Sequence, residues 1–326
     1  MVSVSRIESL DGLSNEWNEL VGRSKANRVF STWEWHSTWW QCFGQGAEFL
    51  ALAARQDGRL VGIAPLFKRG ERVGLMGGTD VSDYLDVIIA SGWETEVLNA
   101  FLEYLVPLPW TAMEVQCLRC DSMTLTTLPR LASDHGLVVE VVPMDVCPRV
   151  SLPATWDEYL ARLSKKDRHE LRRKIRRLES AGPVRWHVAN VAVGLDSKLD
   201  SFLKLMRVSH SGKAAFMDER MERFFRAMAE RVRDRGELKL YFLEIEDKRV
   251  AGAMCFDQGD ELLLYNSGFD RDYGHLSVGL LLKAFCLRDA IATGKKEFDF
   301  LRGEEPYKYD LGGVDQPIYR LEVRRG

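Results

Sequence analysis

The stretch at residues 51–67, ALAARQDGRLVGIAPLF, decides how the chain divides, because a similar stretch recurs later. Two apolar runs flank Asp57 and Gly58, and an Asp-Gly pair between apolar strands is a strong hairpin signal. Residues 241–257, YFLEIEDKRVAGAMCFD, share the pattern at an offset of 190 residues. The simplest interpretation is one duplicated α/β unit, and the alternative is a chance similarity of two hairpins.

Three prolines within residues 143–153 mark the expected boundary between the units. We expect an α/β (α+β) fold, each unit a mixed, mostly antiparallel sheet flanked by helices. The expected divisions are a first domain at 1–145, a linker at 146–154 and a second domain at 155–326. Hydrophobic and turn patterns predict strands in the second half at 185–188, 238–246, 249–256, 261–269 and 297–301. Helices are predicted there at 165–180, 199–209, 219–235 and 276–292.

Composition places the chain among ordinary globular proteins, with 46% hydrophobic and 29% charged residues. The first residues lack the features of a signal peptide, and no apolar run is long enough to span a membrane. Six scattered cysteines do not resemble a disulfide framework, so we expect a cytoplasmic protein. The net charge is −7 over residues 1–150 and +4 over 151–326. An anionic ligand is therefore expected in the second half, unless the excess is a solvated basic face.

The second hairpin is followed by a strand, a loop, a helix and a strand. This order resembles the core of GNAT acyltransferases. Residues 262–312 are similar to the Fem-type GNAT subfamily, in its CelD-like acetyltransferase branch. The residues that carry the resemblance are SVG at 277–279, FDF at 298–300 and GEEPYK at 303–308. The segment DVSDYLD at 80–86 and the basic helix at 165–178 also resemble that branch.

The resemblance implies two GNAT units around a cleft that holds a donor and an acceptor. Most GNAT enzymes use acyl-CoA as the donor, whereas Fem-type relatives use aminoacyl-tRNA. The implied acceptor is a small molecule or glycan precursor with an amine or hydroxyl group. The CelD-like branch is associated by name with cellulose and exopolysaccharide synthesis. We expect acetyl-CoA as the donor substrate, a possible tRNA partner and no metal.

The loop at residues 271–279 is the candidate site for the donor phosphates, because helix N-termini bind anions. The usual GNAT loop reads Gln/Arg-x-x-Gly-x-Gly/Ala, and here Leu276 takes the second small position. A plain turn with a serine cap is the alternative. The preceding strand can polarise the donor carbonyl, although ordinary strand alternation also explains its pattern. The predicted donor-binding residues are Asn266, Ser267, Arg271, Gly274, His275, Ser277 and Gly279.

Four residues are predicted to act in the transfer step. Asp299 is an acid in an apolar strand, which suits a general base if it faces a cleft, whereas pairing with Arg302 or Lys308 is the alternative. Tyr307 can protonate a leaving thiolate, and Lys308 can hold a phosphate or an oxyanion. The alternative is that Tyr307 and Lys308 lie on a surface loop and have no catalytic role. His210 has the ordinary pKa best suited to proton transfer, but a helix cap is the alternative.

Residues 162–177 carry nine basic residues and two acids, which indicates phosphate contact or else a solvated face. Four tryptophans at residues 33–40 can stack on sugars, or else form core. Cys117 and Cys120 lack a partner pair for zinc. The predicted substrate-binding residues are Asp83, Tyr84, Arg172, Arg173, Arg207, Lys213, Arg302 and Glu304.

Three functions follow from these features. The first is an N- or O-acyltransferase that acts on a sugar or a cell-envelope or exopolysaccharide precursor. The second is an aminoacyl-tRNA-dependent peptidyl transferase of the Fem type, although no long coiled-coil insertion is evident. The third is a GNAT pair without catalysis that binds a regulatory partner, for which the altered loop at Leu276 is the support.

Overall fold

The computed structural model describes residues 1–325, which divide into two units. Unit 1 comprises Met1–Val146 and residues 316–325, and unit 2 comprises Cys147–Asp315. The helices are α1 (Ser14–Gly22), α2 (Trp33–Phe43), α3 (Glu94–Leu105), α4 (Met123–Asp134), α5 (Trp156–Arg162), α6 (Lys165–Glu179), α7 (Leu195–Ser209), α8 (Ser211–Phe216), α9 (Glu219–Asp234), α10 (Val278–Ala292) and α11 (Pro306–Asp310).

The strands alternate with these helices in both units. They are β1 (Ser3–Arg6), β2 (Glu48–Phe49), β3 (Leu52–Gln56), β4 (Arg59–Ala64), β5 (Leu66–Arg69), β6 (Arg72–Leu75), β7 (Ile88–Ile89), β8 (Ala112–Arg119), β9 (Leu137–Val146), β10 (Arg149–Ser151), β11 (Val184–Val188), β12 (Leu238–Ile245), β13 (Lys248–Gln258), β14 (Glu261–Phe269), β15 (Glu297–Asp299) and β16 (Pro317–Arg325). The expected mixed α/β class is confirmed. Within residues 1–325, no helix has the length and apolar character needed to span a membrane.

Unit 1 contains two sheets, with strand orders β1-β3-β4-β7 and β2-β5-β6-β8-β16-β9. The predicted hairpin is confirmed as the antiparallel pair β3–β4, which turns at Asp57 and Gly58. Pro65 separates β4 from β5 and lacks the N–H that a continuous ladder requires, so consecutive strands of one run enter different sheets. β6 and β8 are parallel, and α3 lies between them in the chain.

Unit 2 contains one sheet with the order β10-β15-β14-β13-β12-β11. The second predicted hairpin is confirmed as β12–β13, and β14 continues the antiparallel run. β15 is then parallel to β14, with α10 between them in the chain. Each unit therefore has an antiparallel hairpin and a parallel pair connected through a helix, but unit 1 divides its strands between two sheets whereas unit 2 has one.

The expected boundaries need two corrections. β16 does not belong to the second unit, because it pairs with β8 and β9 in the sheet of unit 1 and buries Leu321 and Val323 there. Residues 146–154 are not a free linker either, because β10 pairs with β15 at the edge of the unit 2 sheet. Both strands are placed by long-range pairing, which the local sequence pattern does not reveal.

The core of unit 2 lies between the sheet and α10. This helix is apolar on most of its faces, and ten of its fifteen residues are buried. Such a helix must be covered on several sides. α5 and α6 pack on it together with the sheet, so its N-terminal turn and its single buried lysine, Lys283, have fixed positions.

α7 approaches the sheet of unit 2 closely because two glycines lie side by side beneath it. Gly252 on β13 and Gly268 on β14 are register partners. A Cβ atom at Gly268 would lie 2.3 Å from the Met206 backbone nitrogen, whereas one at Gly252 would meet only side-chain atoms, at 3.3–3.4 Å. The backbone of α7 thus rests on Gly268.

Gly268→Ala is expected to destabilise the protein by about 3 kcal/mol or more, because a helix backbone cannot yield as a side chain can. Gly252→Ala is the matched control, with an expected cost of about 1 kcal/mol or less, since its side-chain neighbours can shift by a few tenths of an ångström. Urea unfolding measures both values. Equal losses in the two variants would contradict the backbone contact as the cause.

Candidate functional site

β14 separates from its neighbour halfway along its length. It pairs with β15 only at residues 261–263, opposite Glu297–Asp299, and then continues to Phe269. A β-bulge at Tyr265 falls just beyond the last parallel pair. In the described part of the chain, the edge of β14 that faces away from β13 has no sheet partner after Leu263. Its backbone groups are therefore available to other ligands.

Lys213 on α8 lies at this open stretch of β14. Its Nζ donates to the Asn266 Oδ1 at 3.0 Å and to the Ser267 carbonyl at 2.5 Å. The Asn266 Oδ1 also accepts from the Ser267 N–H at 2.9 Å. Burial lowers the pKa of Lys213 to about 8. Lys213, which was predicted to bind the substrate, thus contacts Asn266 and Ser267, which were predicted to bind the donor.

The predicted donor loop is a short 3₁₀-helix over Arg271–Leu276 that leads into α10. Leu276 is buried and fixes the loop to the core, which gives a physical reason for its departure from the usual small residue. Ser277 takes a left-handed conformation, with φ of 59°, and α10 starts at the next residue. The first N–H groups of a helix have no partner within it, so they form an anion-binding end.

Arg177 of α6 reaches this end of α10. Its Nη2 donates to the Ser277 Oγ at 2.9 Å, and its Nε is buried without a hydrogen-bond partner in the described residues. The sequence analysis did not select Arg177 individually, although it lies within the basic helix. Gly279 is required for packing, because a Cβ there would lie 2.7 Å from the Phe269 ring. Arg271, Gly274 and His275 are exposed on the loop.

Asp299 does not face a cleft as expected for a general base. It is fully buried, and its Oδ1 accepts from the Leu301 N–H at 2.7 Å. Its Oδ2 lies 3.1 Å from Arg149 Nε, and Arg149 also contacts Glu297 at 2.8 Å. Arg149 is therefore an ion-pair partner of Asp299, whereas Lys308 pairs with Glu305. This environment is that of a structural carboxylate.

One further acid lies beside this ion pair. Carboxylate oxygens of Glu261, Glu297 and Asp299 lie within 4.8 Å of one another. Arg149 supplies positive charge to two of the three. The ion pairs of Arg149 connect β10 with β15, and Glu261 lies on the adjacent strand β14.

Lys308 is also buried, at 1% exposure, and is not placed to hold a phosphate. Its Nζ donates to the carbonyl groups of Leu301, Arg302 and Gly303 at 2.8, 2.7 and 3.0 Å, and it lies 2.9 Å from Glu305. These partners occupy all the hydrogens of the ammonium group. Its role in the structure is to hold the loop between β15 and α11.

That loop has an unusual backbone. Leu301 is left-handed, with φ of 57°, and Gly303 has φ of 113°. A left-handed leucine is unfavourable and persists only where its surroundings enforce it. Asp299 and Lys308 provide that enforcement, because one accepts from the Leu301 N–H and the other donates to its carbonyl. The loop ends at Pro306, which begins α11 and places Tyr307.

Tyr307 packs against a lysine that the sequence analysis missed. The Lys283 ammonium lies 4.3 Å from the centre of the Tyr307 ring and donates to the Gly279 carbonyl at 3.2 Å. Burial, followed by the positive charge of Lys213, lowers the pKa of Lys283 to about 8. Burial also raises the pKa of Tyr307. The available signal was a lone lysine in an apolar helix, VGLLLKAF.

The fold of the chain resembles that of known proteins. Residues 165–309 match the family model of the acetyltransferase (GNAT) domain. FemX has a similar structure, with a TM-score of 0.64, 12% identity, and coverage of 97% of this chain and 96% of FemX. A tandem GNAT protein from the clavulanic acid biosynthesis pathway has a TM-score of 0.54, 10% identity, and coverage of 100% and 99%. The chain has a tandem GNAT-type fold.

A third solved structure shows the same fold. It is the C-terminal domain of a putative lysylphosphatidylglycerol synthetase from Agrobacterium fabrum, with a TM-score of 0.61, 12% identity, and coverage of 98% of this chain and 93% of that domain. No curated protein sequence matches the chain significantly. The GNAT domain match supports a transferase, whereas the structural similarities, at these identities, establish the fold alone.

The other predicted residues lie away from β14 and the start of α10, or they interact with other side chains. Arg207 pairs with Glu222, and Arg173 pairs with Glu170. His210 caps α8, because its Nδ1 accepts from the Gly212 N–H at 3.0 Å and the lone pair of that nitrogen is thus engaged. Arg172 and Glu304 are exposed, and Arg302 is half-buried.

In unit 1, Tyr84 is a core residue rather than a surface contact for a substrate. It is 3% exposed and lies between Phe30 and the Arg119 guanidinium. Its neighbour Asp83 is half-buried. Trp35 is also buried in the core, where its indole N–H donates to Ser82 at 2.8 Å.

Lys308→Met is expected to lower the free energy of unfolding by about 3 kcal/mol, because three loop carbonyls lose a charged donor. Urea unfolding of the variant measures the loss. Lys166→Met, on the exposed face of α6, is the control and should stay within about 0.5 kcal/mol of the parent. A Lys308→Met variant of unchanged stability would show that the loop does not depend on this ammonium.

Proposed function

We propose that unit 2 is an acyltransferase that uses acyl-CoA, with acetyl-CoA as the simplest donor. The acceptor is the amine or hydroxyl of a sugar or of a cell-envelope or exopolysaccharide precursor, as in the CelD-like branch. The observation that carries the proposal is the separation of β14 from β15 directly before the N-terminal turn of α10. This arrangement offers backbone groups for a thioester and N–H groups for phosphates within one short segment.

Arg177 supports the assignment of the start of α10 as the site that binds the phosphates of the donor. Its guanidinium lies at the start of α10 with a buried Nε that has no partner in the described chain, so a phosphate there would satisfy a group that is otherwise costly to bury. The structure of the tandem GNAT protein with the same fold is described as being without AcCoA, which names the donor class proposed here.

Tyr307 is the candidate general acid. Transfer forms a bond between the acceptor nitrogen or oxygen and the acyl carbon, and breaks the bond from that carbon to the thioester sulfur. The acceptor nitrogen or oxygen loses one proton to solvent, and the departing thiolate gains one, so the step balances. The Tyr307 phenol is protonated at neutral pH and can supply that proton, and burial, which raises its pKa, makes it a weaker acid than an exposed tyrosine. Asp299, buried against Arg149, has no part in this step.

A second candidate function is transfer of an aminoacyl group from tRNA. The observation that favours it is the outer face of α6, where Lys165, Lys166, Arg172 and Arg176 are exposed and form no ion pair among the described residues. Such a face suits a polyanion. FemX has a similar fold, but this similarity does not indicate which donor the chain uses.

Arg177→Met is expected to weaken acetyl-CoA binding roughly tenfold or more, since it removes a charged contact to phosphate. Isothermal titration calorimetry measures the dissociation constant. Arg173→Met is the matched control on the same helix, because that guanidinium is committed to Glu170 on an exposed surface. If the two variants bind acetyl-CoA with equal affinity, the start of α10 is not the phosphate site.

Turnover separates the two donors. Release of free CoA thiol is followed with amino sugars and nucleotide sugars as acceptors, and in parallel with aminoacyl-tRNA as the donor. Thiol release that depends on an acceptor supports the acyl-CoA function. Turnover with aminoacyl-tRNA, and none with acetyl-CoA, would replace it with the second candidate.

Tyr307→Phe is expected to lower kcat by roughly 10²–10⁴ while KM for acetyl-CoA changes little, because only the transferred proton is lost. Tyr309→Phe, two residues on in the same helix, is the control, since its hydroxyl is directed to Asp315. If Tyr307→Phe retains the parental kcat with a true acceptor, the phenol is not the acid.

A further inference from the structure

Two lysines lie beside the open stretch of β14 without a carboxylate of their own, Lys283 buried and Lys213 half-buried. Lys283 is 8% exposed, and its ammonium has one carbonyl contact and the face of Tyr307. Lys213 contacts only uncharged oxygens of β14. Neither lysine forms an ion pair among residues 1–325. A buried charge without an opposite charge is costly.

The neighbouring charges do not remove this imbalance. Lys308 and Glu305 lie within electrostatic reach of Lys283, but they are already paired with each other at 2.9 Å. Three ammonium groups therefore share one carboxylate. Desolvation lowers the pKa of Lys213, and desolvation followed by the positive charge of Lys213 lowers the pKa of Lys283.

A comparison within the molecule shows that not every buried lysine lacks negative charge around it. The other buried lysine, Lys308, has three carbonyls and a carboxylate around it, which is the environment expected for a lysine with a structural role. Lys283 lies one helix away with most of its donor capacity unused. A structural role does not explain why a lysine, rather than a methionine, occupies this position.

We propose that Lys213 and Lys283 form a pocket for an anionic group of the acceptor, either a carboxylate or a phosphate. The proposal rests on the proposed function, because it places the donor carbonyl along the same stretch of β14. An acceptor must approach that carbonyl, so a negative group held beside it belongs to the acceptor. The preferred acceptors are thus acidic: a sugar acid, an amino acid or a sugar phosphate.

The test uses the full chain at pH 7 with sodium phosphate and sodium acetate as probes, each compared with sodium chloride at equal ionic strength. Calorimetry measures the affinity of each anion, and thermal unfolding measures Tm. We expect the parent protein to bind at least one of the two. Preference for phosphate identifies a phosphate-bearing acceptor, and binding of acetate identifies a carboxylate.

Lys283→Met and Lys213→Met should each weaken anion binding roughly tenfold or more. Both should keep or raise Tm without anion, because an unpaired buried charge is replaced by an apolar side chain of similar length. Lys308→Met is the matched control and should lower Tm. Lys204→Met, at an exposed position of α7, controls for the loss of one positive charge and should bind the anions as the parent does.

Two results would overturn the pocket. One is equal behaviour of the parent in phosphate, acetate and chloride. The other is anion binding that persists in both Lys283→Met and Lys213→Met, which would place it on the basic helix or the α10 end. Acetyl-CoA affinity is measured alongside. Acetyl-CoA binding without anion binding rejects only the pocket, and anion binding without acetyl-CoA binding rejects only the donor assignment.

Discussion

The Lys308 ammonium donates to three consecutive carbonyls, at Leu301, Arg302 and Gly303, and the geometry of unit 2 around the site depends on this contact. The loop leaves β15 at the point where that strand has just separated from β14. A left-handed leucine and a left-handed glycine then reverse the chain so that α11 can begin at Pro306. Without a donor at the centre of the loop, these carbonyls would point at one another, and Tyr307 would lose its fixed place above Lys283.

The same region shows how one residue type serves opposite purposes. The Lys308 charge is neutralised and fully hydrogen-bonded, so burial is tolerable and the residue adds order. Lys283 is buried and Lys213 half-buried, and neither forms an ion pair in the described residues. Proteins retain such unfavourable groups where binding or chemistry requires them. The contrast separates a lysine that maintains the scaffold from two that are available to a ligand, although all three are near one another.

Much of the fold followed from local signals. Asp57-Gly58 and Asp247-Lys248 between apolar runs located both hairpins, and the glycine and capping patterns located most helices of unit 2. β16 could not be placed, because its partners β8 and β9 are far away in sequence. α4 was missed since Pro129 interrupts its pattern. At the site, the sequence identified Tyr307 and Lys308 but not their environments, because Arg149, an ion-pair partner of Asp299, lies 150 residues earlier, and the partners of Lys308 are backbone atoms.

The return of β16 to unit 1 has a consequence for how the protein is made. The sheet of unit 1 closes only when residues 317–325 insert between β8 and β9, and the ribosome synthesises them after all of unit 2. During translation, β8 and β9 therefore each present an open edge while unit 2 folds. The nascent first unit must wait for its last strand, and its exposed edges are then the places where misassembly with other chains can begin.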